Sequence, residues 1–251
     1  MDKHRKSFYL GDLEITQREI IASISIVAVM LLIGVSIFSF MLEWQSDKNE
    51  TYNKSVKITS KDLFQYGMDT NIGTAFVYGD LKAVDTVTYP EISGNYMYVE
   101  KVKEKYTQHT RMVSYTSNGK TRYRTETYWT WDRVGSEDLR CKEITFCGIL
   151  FDSNKINFPT ASHIDTIKTS YNIRYKYYGV GTEYIGTLFT YLKDKTISDN
   201  SDFYKNRNIE QTMEFLEKSD IVLQIIFWVF WIGLTIACIV GFYCLENEWL
   251  K

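Results

Sequence analysis

The sequence predicts a membrane-anchored α+β chain in which two transmembrane helices flank a mostly antiparallel β soluble domain with a long hairpin. Three features predict it: a long charge-free apolar run near each end, sustained period-two alternation between them, and an Asn-Gly pair inside that alternation.

The apolar runs are IASISIVAVMLLIGVSIFSFML over 21–42 and IVLQIIFWVFWIGLTIACIVGFYCL over 221–245. About 20 apolar residues at 1.5 Å per residue cross the ~30 Å hydrocarbon core of a bilayer, so both are long enough. Core helices of soluble proteins usually keep a polar stripe, and neither run has one. The chain therefore divides into a cytoplasmic leader (1–20), a first membrane helix (21–42), a non-cytoplasmic β-rich domain (43–220), a second membrane helix (221–245) and a cytoplasmic tail (246–251). The leader carries Lys3, Arg5, Lys6 and Arg18. By the positive-inside rule this basic leader places both termini in the cytoplasm and the middle domain outside the cell membrane. The first run exceeds a signal-peptide core and exits through Met41, Leu42, Glu43 and Trp44 with no small-residue cleavage site, so it reads as an uncleaved signal anchor.

The leader has a mildly helical stretch at 13–20 running into the first helix; between the helices, 43–62 is polar and reads as a linker. A short strand follows at 74–81. From Tyr96 the even positions Tyr96, Tyr98, Glu100, Val102, Glu104 and Tyr106 alternate with Met97, Val99, Lys101, Lys103 and Lys105, which is the period of a strand. Segments 110–117 and 120–131 flank Asn118-Gly119, the pair that best tolerates the positive φ of a type I′ turn. A two-residue loop there sets Arg111 opposite Glu126, Tyr115 opposite Arg122 and Met112 opposite Thr125, which brings an opposite-charge pair and a cation–aromatic pair together. Further strands are expected at 141–151, 171–178 and 184–192, with a loop and short helix over 152–166. A helix over 208–219, capped by Asn208, is expected to run on into the second apolar stretch.

The chemical inventory excludes several classes. Charge in the middle domain is nearly balanced, so there is no nucleic-acid footprint. His4, His109 and His163 stand apart from one another and from any cysteine at metal-ligand spacing, which argues against a metal site. No phosphate-binding or dinucleotide-binding glycine pattern and no nucleophile elbow is present, so no cofactor and no catalytic residue is expected. Cys238 and Cys244 lie in the second apolar run. On a single extended strand, Cys141 and Cys147 would stand roughly 20 Å apart, beyond disulfide reach, and only a turn between them would allow a bridge. An envelope enzyme using Cys147 or His163 is the weaker alternative.

What remains are surfaces. Nineteen Tyr and six Trp are concentrated around the hairpin and 171–191, and these side chains suit protein interfaces and lipid–water boundaries. Together with the basic positions they give one candidate interaction surface: Tyr96, Tyr98, Lys101, Lys103, Lys105, Tyr115, Arg122, Arg124, Trp129 and Trp131. In the second helix Gly233, Ala237 and Gly241 recur every four residues. This spacing lets another helix approach closely, either the first helix through Gly34 and Ser25 or the same helix of a second copy. Phe227, Trp228, Phe230 and Trp231 are expected at the bilayer interface.

The stretches FVYGDL (76–81), YMYVEKVKEKY (96–106), TETYWTWD (125–132) and NIRYKYYGVG (172–181), in that order between end helices, resemble the LUMA-like (transmembrane protein 43) family. The resemblance implies a large non-cytosolic domain and a role in membrane scaffolding. This chain departs from the pattern in having one C-terminal membrane helix instead of several. The load of Lys, Asn, Ile and Tyr fits a low-GC bacterium or one of its phages. The function expected is a non-enzymatic membrane-anchored scaffold or interaction module whose partners are the bilayer, membrane or envelope proteins, and a further copy of itself. A phage or bacterial envelope factor in assembly or host-surface modification is the second reading.

The topology is testable in a cysteine-free background carrying either Leu10→Cys or Lys120→Cys. An impermeant maleimide added to intact cells should label position 120 and spare position 10; labelling at position 10 would reverse the orientation.

Overall fold

The computed structural model describes residues 7–10, 13–117 and 120–249. The chain forms two units, Ser55–Thr212 and the segments on either side of it. In the flanking unit β1 (Ser7–Leu10) and β2 (Leu13–Thr16) form a small antiparallel hairpin. This corrects the expected helix at 13–20, which begins only with α1 (Gln17–Lys54). The expected linker at 43–62 is also corrected, because α1 runs on to Lys54. That stretch holds no Gly or Pro before Lys54 and gains helical support from the Glu50–Lys54 ion pair and from Lys48 lying 4.4 Å over the Trp44 ring.

The second helix, α3 (Ile209–Trp249), is continuous through both expected segments. Its start is a reciprocal cap: Gln211 N–H donates to Asn208 Oδ1 at 2.8 Å, and Asn208 N–H donates to Gln211 Oε1 at 3.0 Å. Both helices are long and apolar enough to cross a membrane.

The two helices pair antiparallel, since Ser23 bonds Tyr243 near one end (2.9 Å) and Gln224 donates to Gln45 near the other (2.7 Å). The tightest contact is Trp231 on Gly34. With no Cβ at Gly34 the indole lies directly on the helix backbone, and its Nε1–H donates to Met30 O at 2.9 Å. Phe38 packs against Phe227 (5.7 Å) and Trp228 (5.2 Å). Phe227, Trp228 and Trp231 thus face the partner helix, while Phe230 is 65% exposed. Gly233, Ala237 and Gly241 lie on the opposite face, exposed, and a side chain at Gly233 or Gly241 would meet nothing within 4 Å. The expectation that this small-residue stripe receives the first helix is therefore overturned. Trp231 reaches α1 two residues earlier, about half a turn around the helix, and Ser25 is exposed with its hydroxyl on Ile21 O.

The unit Ser55–Thr212 is built on a large sheet and a smaller one. The large sheet holds β3 (Val56–Ile58), β4 (Gly73–Ala83), β7 (Glu143–Phe146), β8 (Ile149–Asp152), β9 (Ile156–Asn157), β12 (Glu183–Lys193), β13 (Thr196–Ile197) and β14 (Ser201–Lys205), in the order β8-β7-β4-β12-β14-β9 with β3 beside β4 and β13 beside β12. The helix α2 (Lys61–Asp69) starts at Ser60, whose hydroxyl accepts from Leu63 N, and buries Phe64 and Met68 against the sheet. Phe64 meets Phe146 edge-on at 5.8 Å in a core that includes Val77, Leu81, Leu188 and Leu192. The smaller sheet, β10 (Ser162–Ser170), β11 (Ile173–Val180), β5 (Tyr98–Ser117) and β6 (Lys120–Arg140), is wholly antiparallel. Among the described residues only the β3–β4 and β9–β14 pairs are parallel.

The hairpin register is as expected: Arg111 pairs with Glu126, Tyr115 with Arg122 and Met112 with Thr125. The turn residues Asn118 and Gly119 lie outside the described residues. Two expectations are corrected. The strand at 141–151 is split into β7 and β8 by Cys147 and Gly148, both at positive φ (49° and 68°), the backbone of a two-residue primed turn. Of the loop and short helix expected over 152–166, the helix is one 3₁₀ turn, Ser153–Lys155, and the loop shrinks to 158–161 between β9 and β10. Two register shifts against β11 interrupt the alternation of β10.

Replacing Gly34 by Leu should unseat Trp231. In a detergent-solubilised Ser23→Cys/Tyr243→Cys background, spontaneous crosslinking should fall severalfold on adding Gly34→Leu and stay unchanged on adding Gly233→Leu. Equal crosslinking in all three would refute the pairing.

Candidate interaction surface

Only the base of the β5–β6 hairpin belongs to a wider sheet. β11 pairs with β5 from Tyr98 to Lys105, and beyond that point β5 and β6 pair with each other alone. At ~3.3 Å per residue, 106–117 and its partner form a two-stranded ribbon about 40 Å long. Residues directly opposite share a face, so the register sorts the side chains. One face carries the pairs Tyr106/Trp131, Gln108/Trp129, Thr110/Thr127, Met112/Thr125, Ser114/Tyr123 and Thr116/Thr121, with no charged residue among them. The other carries Thr107/Thr130, His109/Tyr128, Arg111/Glu126, Val113/Arg124, Tyr115/Arg122 and Ser117/Lys120, four cations against Glu126, with Lys105/Asp132 at its base.

The neutral face begins as a row of planar groups. Arg174 lies 4.3 Å over Trp131, Trp131 is 5.1 Å from Tyr106, and Tyr106 is 5.3 Å from Trp129. Farther out, Tyr123 (67% exposed) and Met112 (75%) are open to solvent. On the cationic face Arg111 forks onto Glu126 (2.8 and 3.1 Å) and lies over Tyr128 at 5.6 Å, while Arg124 lies over Tyr115 at 5.8 Å. Among the described residues Lys120 and Arg122 have no ion pair. Nearer the base, Asp132 accepts from Thr107 and bonds His109 Nε2 at 2.6 Å.

The ten predicted surface residues therefore do not form one surface. Trp129 and Trp131 lie on the neutral face, and Tyr115, Arg122 and Arg124 on the cationic one. Lys103 and Lys105 are exposed at the base. Lys101 turns inward: its ammonium bonds Glu91 at 2.9 Å and sits 5.0–5.9 Å from the rings of Tyr175, Tyr89 and Tyr177. The bond to Glu91 holds its pKa above the ordinary lysine value. Tyr96 donates to Ser93 O at 2.8 Å. Tyr98 lines a shallow pocket of about 430 Å³ with Arg140 and Phe158. Arg140 was not anticipated. It donates to Ser153 O (2.6 Å) and Ile156 O (2.9 Å), stapling the 3₁₀ turn, a long-range role with no local sequence signal.

The remaining candidate nucleophile is placed for packing. Cys147 fits into the space left by Gly79, and its sulfur donates weakly to Tyr78 O at 3.6 Å. Burial pushes both Cys141 and Cys147 thiols up to about 11, and both are free. His163 bonds Thr166 at 2.7 Å on β10. Among the described residues no contact joins either thiol to a histidine. His4 lies outside the described residues.

The chain matches no family model, no curated protein and no solved structure.

At the base of the ribbon, burial works to raise the Glu104 carboxyl, but Arg174 (2.5 Å) and Lys176 (3.1 Å) outweigh it and hold the group below the ordinary glutamate range. A depressed carboxylate stabilises the fold above its unfolded pKa of about 4.3 and loses that contribution as pH falls through the folded value. Glu104→Gln should cost about 1–3 kcal/mol at neutral pH. The gap in Tm from wild type should close at a pH well below 4.3, as followed by circular dichroism.

Proposed function

We propose that the chain is a membrane-anchored interaction module, held in the bilayer by α1 and α3, with both termini cytoplasmic and Ser55–Thr212 outside, binding its partners through the β5–β6 ribbon. The observation that carries this reading is the ribbon itself. A two-stranded hairpin is marginal in water unless something covers it. This one leaves Trp129, Tyr123 and Met112 exposed on a face without charge. Aromatic side chains and Met are the residue types enriched where one protein surface receives another surface.

The scaffolding role implied by the LUMA-like resemblance supports the same reading. The inward use of Lys101 and the packing role of Cys147 leave the ribbon as the principal unoccupied cluster of aromatic and basic side chains among the described residues. The exposed stripe of Gly233, Ala237 and Gly241 supports self-association of α3 in the bilayer, where close van der Waals approach supplies the contact.

Crosslinking mass spectrometry on membranes carrying the full chain tests the module reading. A variant in which 108–129 is replaced by a short Asn-Gly turn should lose most wild-type crosslinks while keeping its Tm within a few degrees. An unchanged set of crosslinks would place binding elsewhere and sink the reading.

A further inference from the structure

We propose that the ribbon is an amphipathic β element that lies in the headgroup layer of an anionic lipid bilayer, with the row from Tyr106 to Tyr123 turned into the lipid and Arg111, Lys120, Arg122 and Arg124 reaching the phosphates. The proposal rests on the module reading and names the partner. Its basis is that one register confines every charged side chain of 106–117 and 120–131 to one face and leaves the other neutral, while Tyr115 and Tyr128 on the cationic face lie under arginines. Position by position the neutral face holds two Trp, two Tyr and one Met among Thr, Ser and Gln, and the cationic face holds four basic residues against Glu126.

Three occupants compete. A soluble polyanion would use the cationic face and leave the exposed aromatic rings unexplained. A second copy would bury the neutral face and leave the unpaired cations unexplained. Its contact would also be small, since a strip about 40 Å by 10 Å buries roughly 800 Å² over two copies, below the ~1,200 Å² of a stable interface. A lipid surface uses both faces. Trp and Tyr rings settle at the headgroup boundary, where one end is apolar and the other wet. Lys and Arg extend along their apolar stems to keep the charged ends at the phosphates. An amphipathic helix in the interface plane divides its residues the same way, aromatics inward and basic residues on the polar face.

The arginines are also arranged for this use. Arg111 and Arg124 are set over Tyr128 and Tyr115, which limits their freedom before binding, while Arg122 and Lys120 near the tip have no anionic partner among the described residues. The carboxylates on this face are already engaged: Glu126 meets Arg111 at 2.8 Å and Arg124 at 3.5 Å, and Asp132 at the base bonds His109 at 2.6 Å.

The test uses the full chain reconstituted in uncharged phosphatidylcholine nanodiscs and measures co-flotation with vesicles of phosphatidylcholine alone or with phosphatidylglycerol. Wild type should prefer the anionic vesicles at least tenfold and release them near 1 M salt, where screening is short-ranged. Each of Arg122→Gln and Arg124→Gln should weaken binding roughly fivefold. The decisive variant exchanges neighbours (Arg122→Tyr, Tyr123→Arg, Arg124→Thr, Thr125→Arg), which preserves composition and net charge but mixes the faces; it should lose tenfold or more. Trp129→Thr/Tyr123→Thr, which keeps every charge, provides an independent reading should the exchange variant fail to fold.

Equal binding by wild type and a folded exchange variant, or equal binding to charged and neutral vesicles, overturns the proposal. So does binding of soluble polyphosphate that survives Trp129→Thr/Tyr123→Thr while vesicle binding is absent, which would assign the face to a polyanion. Ribbon-dependent crosslinks between copies without vesicle binding would assign it to self-association. Ribbon-dependent protein crosslinks with no vesicle binding would overturn the lipid partner and leave the module reading standing.

Discussion

The ribbon is held from one end. A two-stranded hairpin gains only about 0.2–1 kcal/mol from each cross-strand pair and has no third strand to share its backbone groups. Its geometry depends on what grips the base, where Met97 N–H donates to Val180 O and Cys141 N–H to Met97 O, so that both strands emerge from the core. Glu104 then binds Arg174 and Lys176 across to β11, Arg133 binds Glu100 at 2.5 Å, and Arg174 covers Trp131. Charge pairs this near the surface contribute modestly one by one. As a connected group joined to the aromatic row they fix the direction in which the ribbon leaves the sheet.

How much of this was legible in the sequence follows from where each signal resides. The hairpin register was readable from the tip as far as Glu104 because a two-residue loop determines the pairings beyond it until a bulge intervenes. The two faces were implicit in that register, yet grouping Tyr115, Arg122, Trp129 and Trp131 as one surface ignored that adjacent residues of a strand point oppositely. The inward turn of Lys101 was not readable, because its partners come from two segments distant from its own strand, Tyr89 and Glu91 from one and Tyr175 and Tyr177 from β11. The Cys147-Gly148 turn was hidden because Cys is not a turn residue. Its left-handed backbone goes with a sulfur that packs where Gly79 leaves room, a condition set by a neighbouring strand. The overrun of α1 to Lys54 shows that polarity alone does not end a helix; Ser55 and the β-branched Val56 follow its last turn.

The helix pair illustrates how glycine can be misread. Gly233, Ala237 and Gly241 have the spacing of a packing groove, while Gly34 stands without a small residue four positions to either side. The structure uses Gly34. A missing Cβ exposes the Met30 carbonyl to a second donor, and the Trp231 indole takes that place while its ring fills the gap. A hydrogen bond to a main-chain carbonyl that already accepts within its helix costs little and spares the indole N–H from being buried unpaired. One large residue against one glycine thus achieves the close approach that small residues on both helices would give, and leaves the small-residue face of α3 unused within the chain.

The bulge at Val134 reconciles two demands on β6. From Glu104 outward, the pairing with Arg133 continues the register set by the tip; from Lys103 inward, Lys103 pairs with Gly135 and the register is displaced by one residue. Without that extra residue Arg140 would stand opposite Met97, on the face that enters the core, instead of opposite Tyr98. A guanidinium there would be buried among Leu81, Ile144 and Val180 with no carboxylate to meet it, at a cost of several kcal/mol. With the bulge, Arg140 reaches the carbonyls of Ser153 and Ile156, and the exposed Val134 is the residue left unpaired. A one-residue slip exchanges the faces of a strand. Here a single bulge lets the tip sort charged from uncharged residues while the base sorts core from solvent, and neither pattern has to yield to the other.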